Sequence, residues 1–165
     1  MLSIQSSVTL REAGEADLKF LYQVYASTRA EEMAATGWSA AQAEAFLREQ
    51  FRLQDTHYRK HYPGALFQVV LVDREPAGRL YEYADGKSVR VMDIALLPSF
   101  QRRGIGGILL RSLMDRADAG GWLLNLHVEF NNPIRDWYLR LGFKESPGDG
   151  VYVFMERPAL AGVKV

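Results

Sequence analysis

Residues 97–113 read LPSFQRRGIGGILLRSL. A proline closes an apolar run, Arg102 and Arg103 follow, and Gly104, Gly106 and Gly107 lead into a stretch with helical spacing. Glycine lets a backbone approach a bound group closely, because no Cβ stands in the way. A helix N-terminus carries unpaired N–H groups and about half a positive charge. Arginines beside it add attraction for anions. The combination predicts a strand, a tight turn and a helix whose first amides seat a phosphate-like group.

Three phosphate-binding patterns compete for this stretch. The P-loop needs G-x-x-x-x-G-K-[ST], and here the glycines are too close and no Lys-Ser or Lys-Thr follows. The dinucleotide fingerprint needs G-x-G-x-x-G, but its third glycine position holds Leu109. The pattern Q/R-x-x-G-x-G is complete in Gln101, Arg102, Arg103, Gly104, Ile105 and Gly106. The plainer alternative is a tight strand-to-helix turn with solvated arginines. The preceding apolar strand, the amphipathic helix after it, and a later strand and tyrosine-bearing helix favour the phosphate seat.

Upstream, 6–13 reads as a β-branched strand and 15–32 as one helix, with a break at Gly37. Ser39 and Gln42 form a capping-box pattern that opens a second helix ending at Pro63-Gly64. Three strands follow at 65–72, 77–84 and 88–97, joined by turns at 73–76 and 85–87. Downstream, Ile105, Leu109, Leu110, Leu113 and Met114 give the next helix an apolar face, which Gly120-Gly121 ends. A strand at 122–130, a short helix at 131–143 and a hairpin at 143–157 with a Pro-Gly-Asp-Gly turn complete the order. This predicts an α+β fold: a mixed, mostly antiparallel sheet flanked by helices, with one central parallel strand pair within 88–130. Residues 1–157 are expected to form a single domain, and 158–165 a C-terminal tail.

Composition excludes several classes. The chain has 165 residues, and 20 Lys and Arg balance 20 Asp and Glu. That argues against a general nucleic-acid binder, which carries a basic excess. There is no cysteine, so disulfides, thiolate metal sites and a cysteine nucleophile are all ruled out. His57, His61 and His127 show no ligand spacing, so no metal is expected. No leader-peptide pattern opens the sequence and no apolar run is long enough to span a bilayer. A cytoplasmic protein without membrane contact is expected.

DIALLPSFQRRGIGGILL followed by LHVEFNNPIRDWYLRLGF resembles the GCN5-related N-acetyltransferase (GNAT) superfamily, which transfers acyl groups from acyl-CoA. The diagnostic part covers about the second half of the chain. The glycine motif gains specificity from the Tyr-x-x-x-Gly-Phe ending, here Tyr138 to Gly142-Phe143.

The resemblance implies a set of roles. Main-chain amides of Gln101–Gly106 would bind the CoA pyrophosphate. Ile94, Ala95 and Leu96 would lie along the pantetheine and acyl group, pairing almost as an added strand, with one N–H polarising the thioester carbonyl. Tyr138 would protonate the departing thiolate. Asn132 would open the helix and contact CoA, with Asn131 one residue away as the alternative; either could equally cap the helix. The base stays open. His127 and Glu129 share a strand face, Asp93 and Glu82 are further candidates, and solvent could suffice.

The implied activity is acetyl-CoA-dependent N-acetylation of a primary amine by direct attack in a ternary complex. The alternative is a non-catalytic acyl-CoA sensor or interaction module. The acceptor is not readable: Trp38, His57, Tyr58, His61 and Tyr62 could line its pocket, although such a helix end is more often a solvated face with a packed stem. The final strand, VYVFMER, could support edge pairing in a homodimer.

Overall fold

The computed structural model describes residues 6–147 and 150–160. In chain order the elements are β1 (Val8–Glu12), α1 (Leu18–Thr28), α2 (Ala30–Thr36), α3 (Ala40–His61), β2 (Leu66–Val72), β3 (Glu75–Ala84) and β4 (Ser88–Leu96). There follow α4 (Ile105–Gly120), β5 (Leu123–Glu129), α5 (Ile134–Arg140), β6 (Lys144–Ser146) and β7 (Tyr152–Arg157). The strands form one sheet in the order β1-β2-β3-β4-β5-β7-β6. The β4–β5 pair is parallel, from Ser88 opposite Leu123 to Val91 opposite Leu126. The α+β class and the central parallel pair are as the sequence predicts. The middle of the 147–150 turn and the end of the 158–165 tail lie outside the described residues, as do residues 1–5.

Four local differences have physical causes. The helix expected over 15–32 is a 3-10 turn followed by α1 and α2, which break at Arg29 (φ −109°, ψ 6°) and end at Gly37 in the left-handed region (φ 73°). The 73–76 turn contracts to Asp73 and Arg74, both left-handed (φ 50° and 71°). Asp73 offsets that strain by accepting the Ser7 amide on Oδ1 at 2.8 Å, which fastens the start of β1. On α4, Ala117 is buried while Met114 is only half-buried. Finally, β7 pairs with β5 on one side and β6 on the other. The edge that the sequence assigns to VYVFMER therefore belongs to the three-residue β6.

The capping box is formed: the Gln42 amide donates to Ser39 Oγ at 3.2 Å, and the Ser39 amide to Gln42 Oε1 at 2.9 Å. It starts a 22-residue helix.

The chain divides into two compact units. The first comprises residues up to Tyr81 together with Asp93–Ile105. Its core holds Leu21, Val24 and Tyr25 of α1, Leu47 of α3, and Val69, Val70 and Val72 of β2. The second comprises Glu82–Met92 and the residues from Gly106 on. Here α4 buries Leu109, Leu110, Leu113 and Ala117, and the strands bury Leu124, Leu126, Val128 and Met155. Burying each Val, Leu or Met side chain among these contributes roughly 1.5–3 kcal/mol. Among the described residues, no helix is long and apolar enough to cross a membrane.

Candidate active site

The glycine turn has the form an anion seat requires. The last registered β4–β5 pair is Val91–Leu126, and β4 runs on through half-buried Ile94, Ala95 and Leu96. Leu97 then donates to the Ala77 carbonyl at 2.8 Å, and Pro98–Phe100 make a single 3-10 turn. Arg102 and Gly104 both take left-handed backbone (φ 61° and 79°), which swings the chain into α4 at Ile105. Ile105 is buried and anchors the helix start. The first-turn amides of α4 have no intrahelical acceptors, by the geometry of any α-helix.

Gly106 is the informative glycine. Its φ is not in the left-handed region, and a Cβ built there would meet nothing within 4 Å. Neither conformation nor packing within the chain requires glycine, although glycine inside a helix costs about 1 kcal/mol relative to alanine. The space it leaves is open for something outside the chain. Gly107 differs, since a Cβ there would touch Trp137 at 3.9 Å.

Gln101 departs from expectation. Its amide donates to Pro98 O at 3.2 Å and its side chain to Leu96 O at 2.9 Å. It therefore braces the turn against the end of β4, and the exposed amide run begins at Arg102. Arg103 is exposed, and its guanidinium carbon lies 5.3 Å from the Phe100 ring centroid, a cation–π contact.

In the second unit, Tyr138 sits on α5 and is 7% exposed. Burial raises the pKa of its phenol, so the group stays protonated well into the alkaline range. The residues after it form a Schellman cap: Phe143 N–H donates to Tyr138 O and Gly142 N–H to Leu139 O, each at 3.1 Å, with Gly142 at φ 98°. The Tyr-x-x-x-Gly-Phe motif is thus the device that stops α5 and holds Tyr138. Asn132 Oδ1 accepts the Ile134 amide at 3.1 Å and caps the start of the same helix. Asn131 is exposed.

The candidate bases sort clearly. His127 and Glu129 are both exposed on β5, on either side of buried Val128, and the His127 ring lies 5.3 Å from Phe154. Glu82 is 4% exposed and ion-paired with Arg116 at 2.7 Å, which commits it to the packing of α4. Asp93 is paired with Arg79, which is fully buried. Sequence reasoning missed Arg79; its signal was an arginine on the same strand face as Ala77 and Tyr81.

Among the acceptor-pocket candidates, Trp38 is 44% exposed and packs edge-on against Phe46. His57 and His61 are exposed on α3 with rings 4.4 Å apart. Tyr58 turns inward against Tyr81, and burial pushes its hydroxyl up to about 12. Tyr62 lines a cavity of about 290 Å³ together with Arg59 and Phe67. Among the described residues there is no group of three or more His, Cys, Asp or Glu that could hold a metal ion.

The model of the acetyltransferase (GNAT) domain matches residues 63–145, about half of the chain, and takes in the whole glycine turn and Tyr138. The chain belongs to the GNAT family. No curated protein sequence matches it significantly. Many solved structures share the GNAT fold. The PaiA N-acetyltransferase of Thermoplasma acidophilum, in complex with coenzyme A, is 22% identical with a TM-score of 0.66, over 92% of this chain and 99% of that one. The ribosomal-protein-S18-alanine N-acetyltransferase of Escherichia coli is 21% identical with a TM-score of 0.65, over 96% and 99%. An acetyltransferase of Thermus thermophilus is 19% identical with a TM-score of 0.66, over 92% and 97%. Acetyl-CoA is the co-substrate of GNAT enzymes, so acyl transfer is the chemistry of the family to which this chain belongs.

Proposed function

We propose that this GNAT protein transfers the acetyl group of acetyl-CoA directly to a primary amine in a ternary complex, in the cytoplasm. The open space at Gly106, beside the unpaired amides that start α4, is the observation that carries the reading. There the backbone of Arg102–Gly106 receives the pyrophosphate, and Arg102 and Arg103 draw it in. The backbone of Ile94, Ala95 and Leu96 aligns the pantetheine and acyl group, and an amide of that segment polarises the thioester carbonyl. Such a fixed donor is worth roughly 3–4 kcal/mol to the tetrahedral transition state. The amine nitrogen attacks the carbonyl carbon, the C–S bond breaks, and Tyr138 gives its proton to the departing sulfur. The proton lost by the amine leaves through water, with His127 and Glu129 on β5 as the receiving groups. Asn132 adds a contact to CoA through its amide nitrogen. With no cysteine in the chain, no thiol can carry the acetyl group between the two substrates.

The test is calorimetry with acetyl-CoA, followed by assays of thiol release with a panel of amines, polyamines, amino acids and peptides. Gly104→Glu should abolish binding, because it puts a carboxylate into the anion seat. Unchanged affinity in that variant would move the seat elsewhere. Binding without thiol release from any amine would make the protein an acyl-CoA sensor instead.

A further inference from the structure

The histidine spacing in the bare sequence predicts no metal. Folded into α3, two of the three histidines are brought together. His57 and His61 stand four positions apart on a 22-residue helix, and their ring centroids are 4.4 Å apart at an interplanar angle of 42°. Side chains at i and i+4 share one helix face. Both residues are exposed. Among the described residues, ring contacts are the only interactions either one makes: the two rings with each other, and His57 with Tyr58 at 6.2 Å between centroids. No hydrogen bond or ion pair from the described residues engages a nitrogen of either ring. Packing therefore requires histidine at neither position. Helix propensity does not favour it either, since histidine ranks below alanine, lysine and glutamate.

Neutral imidazole is the commonest protein metal ligand, and it suits divalent ions such as Zn²⁺ and Ni²⁺. A zinc–nitrogen bond is about 2.0–2.1 Å long, so two rings that reach one ion must stand a few ångströms apart. That is the separation α3 gives His57 and His61. Two histidines four apart on one helix face are also the zinc-holding pair of H-E-x-x-H sites. We propose that His57 and His61 chelate one divalent transition-metal ion, Zn²⁺ or Ni²⁺, with water in its remaining positions. The place suits a cation: His61 is the last residue of α3, and a helix C-terminus carries about half a negative charge. Of the two basic residues between the histidines, Arg59 is ion-paired with Asp55 at 3.0 Å and Lys60 is exposed. No third His, Cys, Asp or Glu among the described residues joins the pair, so the site is a two-imidazole chelate open to solvent. It uses none of the residues given a part in acetyl transfer, and it stands or falls independently of that reading.

The experiment titrates Zn²⁺ into the full chain, carrying no affinity tag, by calorimetry in a non-coordinating buffer. Mg²⁺, which prefers oxygen ligands, is the control. One Zn²⁺ per chain should bind, Mg²⁺ should not, and Zn²⁺ should raise Tm by mass action. His57→Ala and His61→Ala should each weaken Zn²⁺ binding by about 10-fold or more. The double variant should bind little worse than either single one, because one ring alone does not chelate. His127→Ala, which alters the remaining histidine, should keep the parent's Zn²⁺ affinity. The Tm of each variant without metal reports an intact fold, and both altered positions are exposed. Zn²⁺ affinity unchanged in His57→Ala or His61→Ala would overturn the chelate. So would losses that add in the double variant, which would mean two separate one-ring sites. Binding that disappears in His127→Ala would place the ion elsewhere and overturn it as well.

Discussion

The Phe143 amide donates to the Tyr138 carbonyl at 3.1 Å while the two rings stand 5.4 Å apart. The helix stop and the orientation of Tyr138 are one structure, because the cap that ends α5 also packs the side chain it presents. Tyr138→Phe keeps both contacts and removes only the hydroxyl. It should lower kcat by about 100-fold and leave the Kd of acetyl-CoA within a small factor. The sign of the pH effect follows from burial. As the proposed acid Tyr138 would act when protonated; its pKa is raised, and activity should therefore persist above the ordinary tyrosine range and fail at still higher pH. In Tyr138→Phe that alkaline limb should vanish. A variant as active as the parent would remove Tyr138 from proton transfer.

Gly106 offers a separation of stability from function. A Cβ there meets no atom within 4 Å and the backbone is not left-handed. Gly106→Ala should thus stabilise the unliganded protein by about 0.4–1 kcal/mol, read as a higher Tm. In the proposed binding mode the same methyl group would stand in the path of the pyrophosphate, so acetyl-CoA should bind about 10-fold or more weakly. A Tm gain with undiminished affinity would show that the open space serves no ligand.

The order of elements was legible because their signals are local. Ser39 and Gln42 announce α3, and the spacing of Leu109, Leu110 and Leu113 announces α4. The glycine turn was legible because both its conformation and its emptiness are written as missing side chains. Other features depend on long-range register. The turn at Asp73-Arg74 contains no glycine, and what supports it is Ser7, 66 positions away. The Arg79–Asp93 pair joins residues 14 apart and is completed by Gln54 from α3. Neither residue carries a local mark of its partner. The edge position of β6 is likewise a property of strand order, which residue pattern alone does not specify.

Gly78 should prove as sensitive as the glycines of the turn, for a different reason. A Cβ there would collide with the Ala95 carbonyl oxygen, and would lie 2.9 Å from Leu96 Cδ2 and 3.0 Å from Leu96 Cα. The obstacle is β4 backbone, which cannot rotate away. Gly78→Ala should cost about 1–3 kcal/mol, as overpacking does, and it should displace the β4 segment proposed to align the acyl group. Urea unfolding would show the first effect and acetyl-CoA titration the second. Wild-type stability in this variant would mean that β3 and β4 are not as closely apposed at this point.

Asp118 should contribute to the acid stability of the second unit. Arg157 is 3% exposed and donates to both carboxylate oxygens, at 2.8 and 3.0 Å, while Leu160 N–H adds a third bond at 3.0 Å. The hydrogen bonds from Arg157, chiefly, hold the Asp118 carboxyl below its ordinary 3.8. A carboxyl whose folded pKa is depressed contributes stability that is complete above its unfolded value and is lost as pH falls through the folded one. The contribution should therefore be constant from neutrality down to about pH 4 and decline below it. Asp118→Asn leaves a buried guanidinium without its counter-charge, with only a neutral amide oxygen and the Leu141 carbonyl, at 3.3 Å, to accept from it. It should cost about 3 kcal/mol at neutral pH, a fall in Tm of roughly 6–12 °C for a chain of this size. The variant should also lose the part of the parent's acid sensitivity that falls below pH 4. An unchanged acid transition in Asp118→Asn would show that other carboxylates set it.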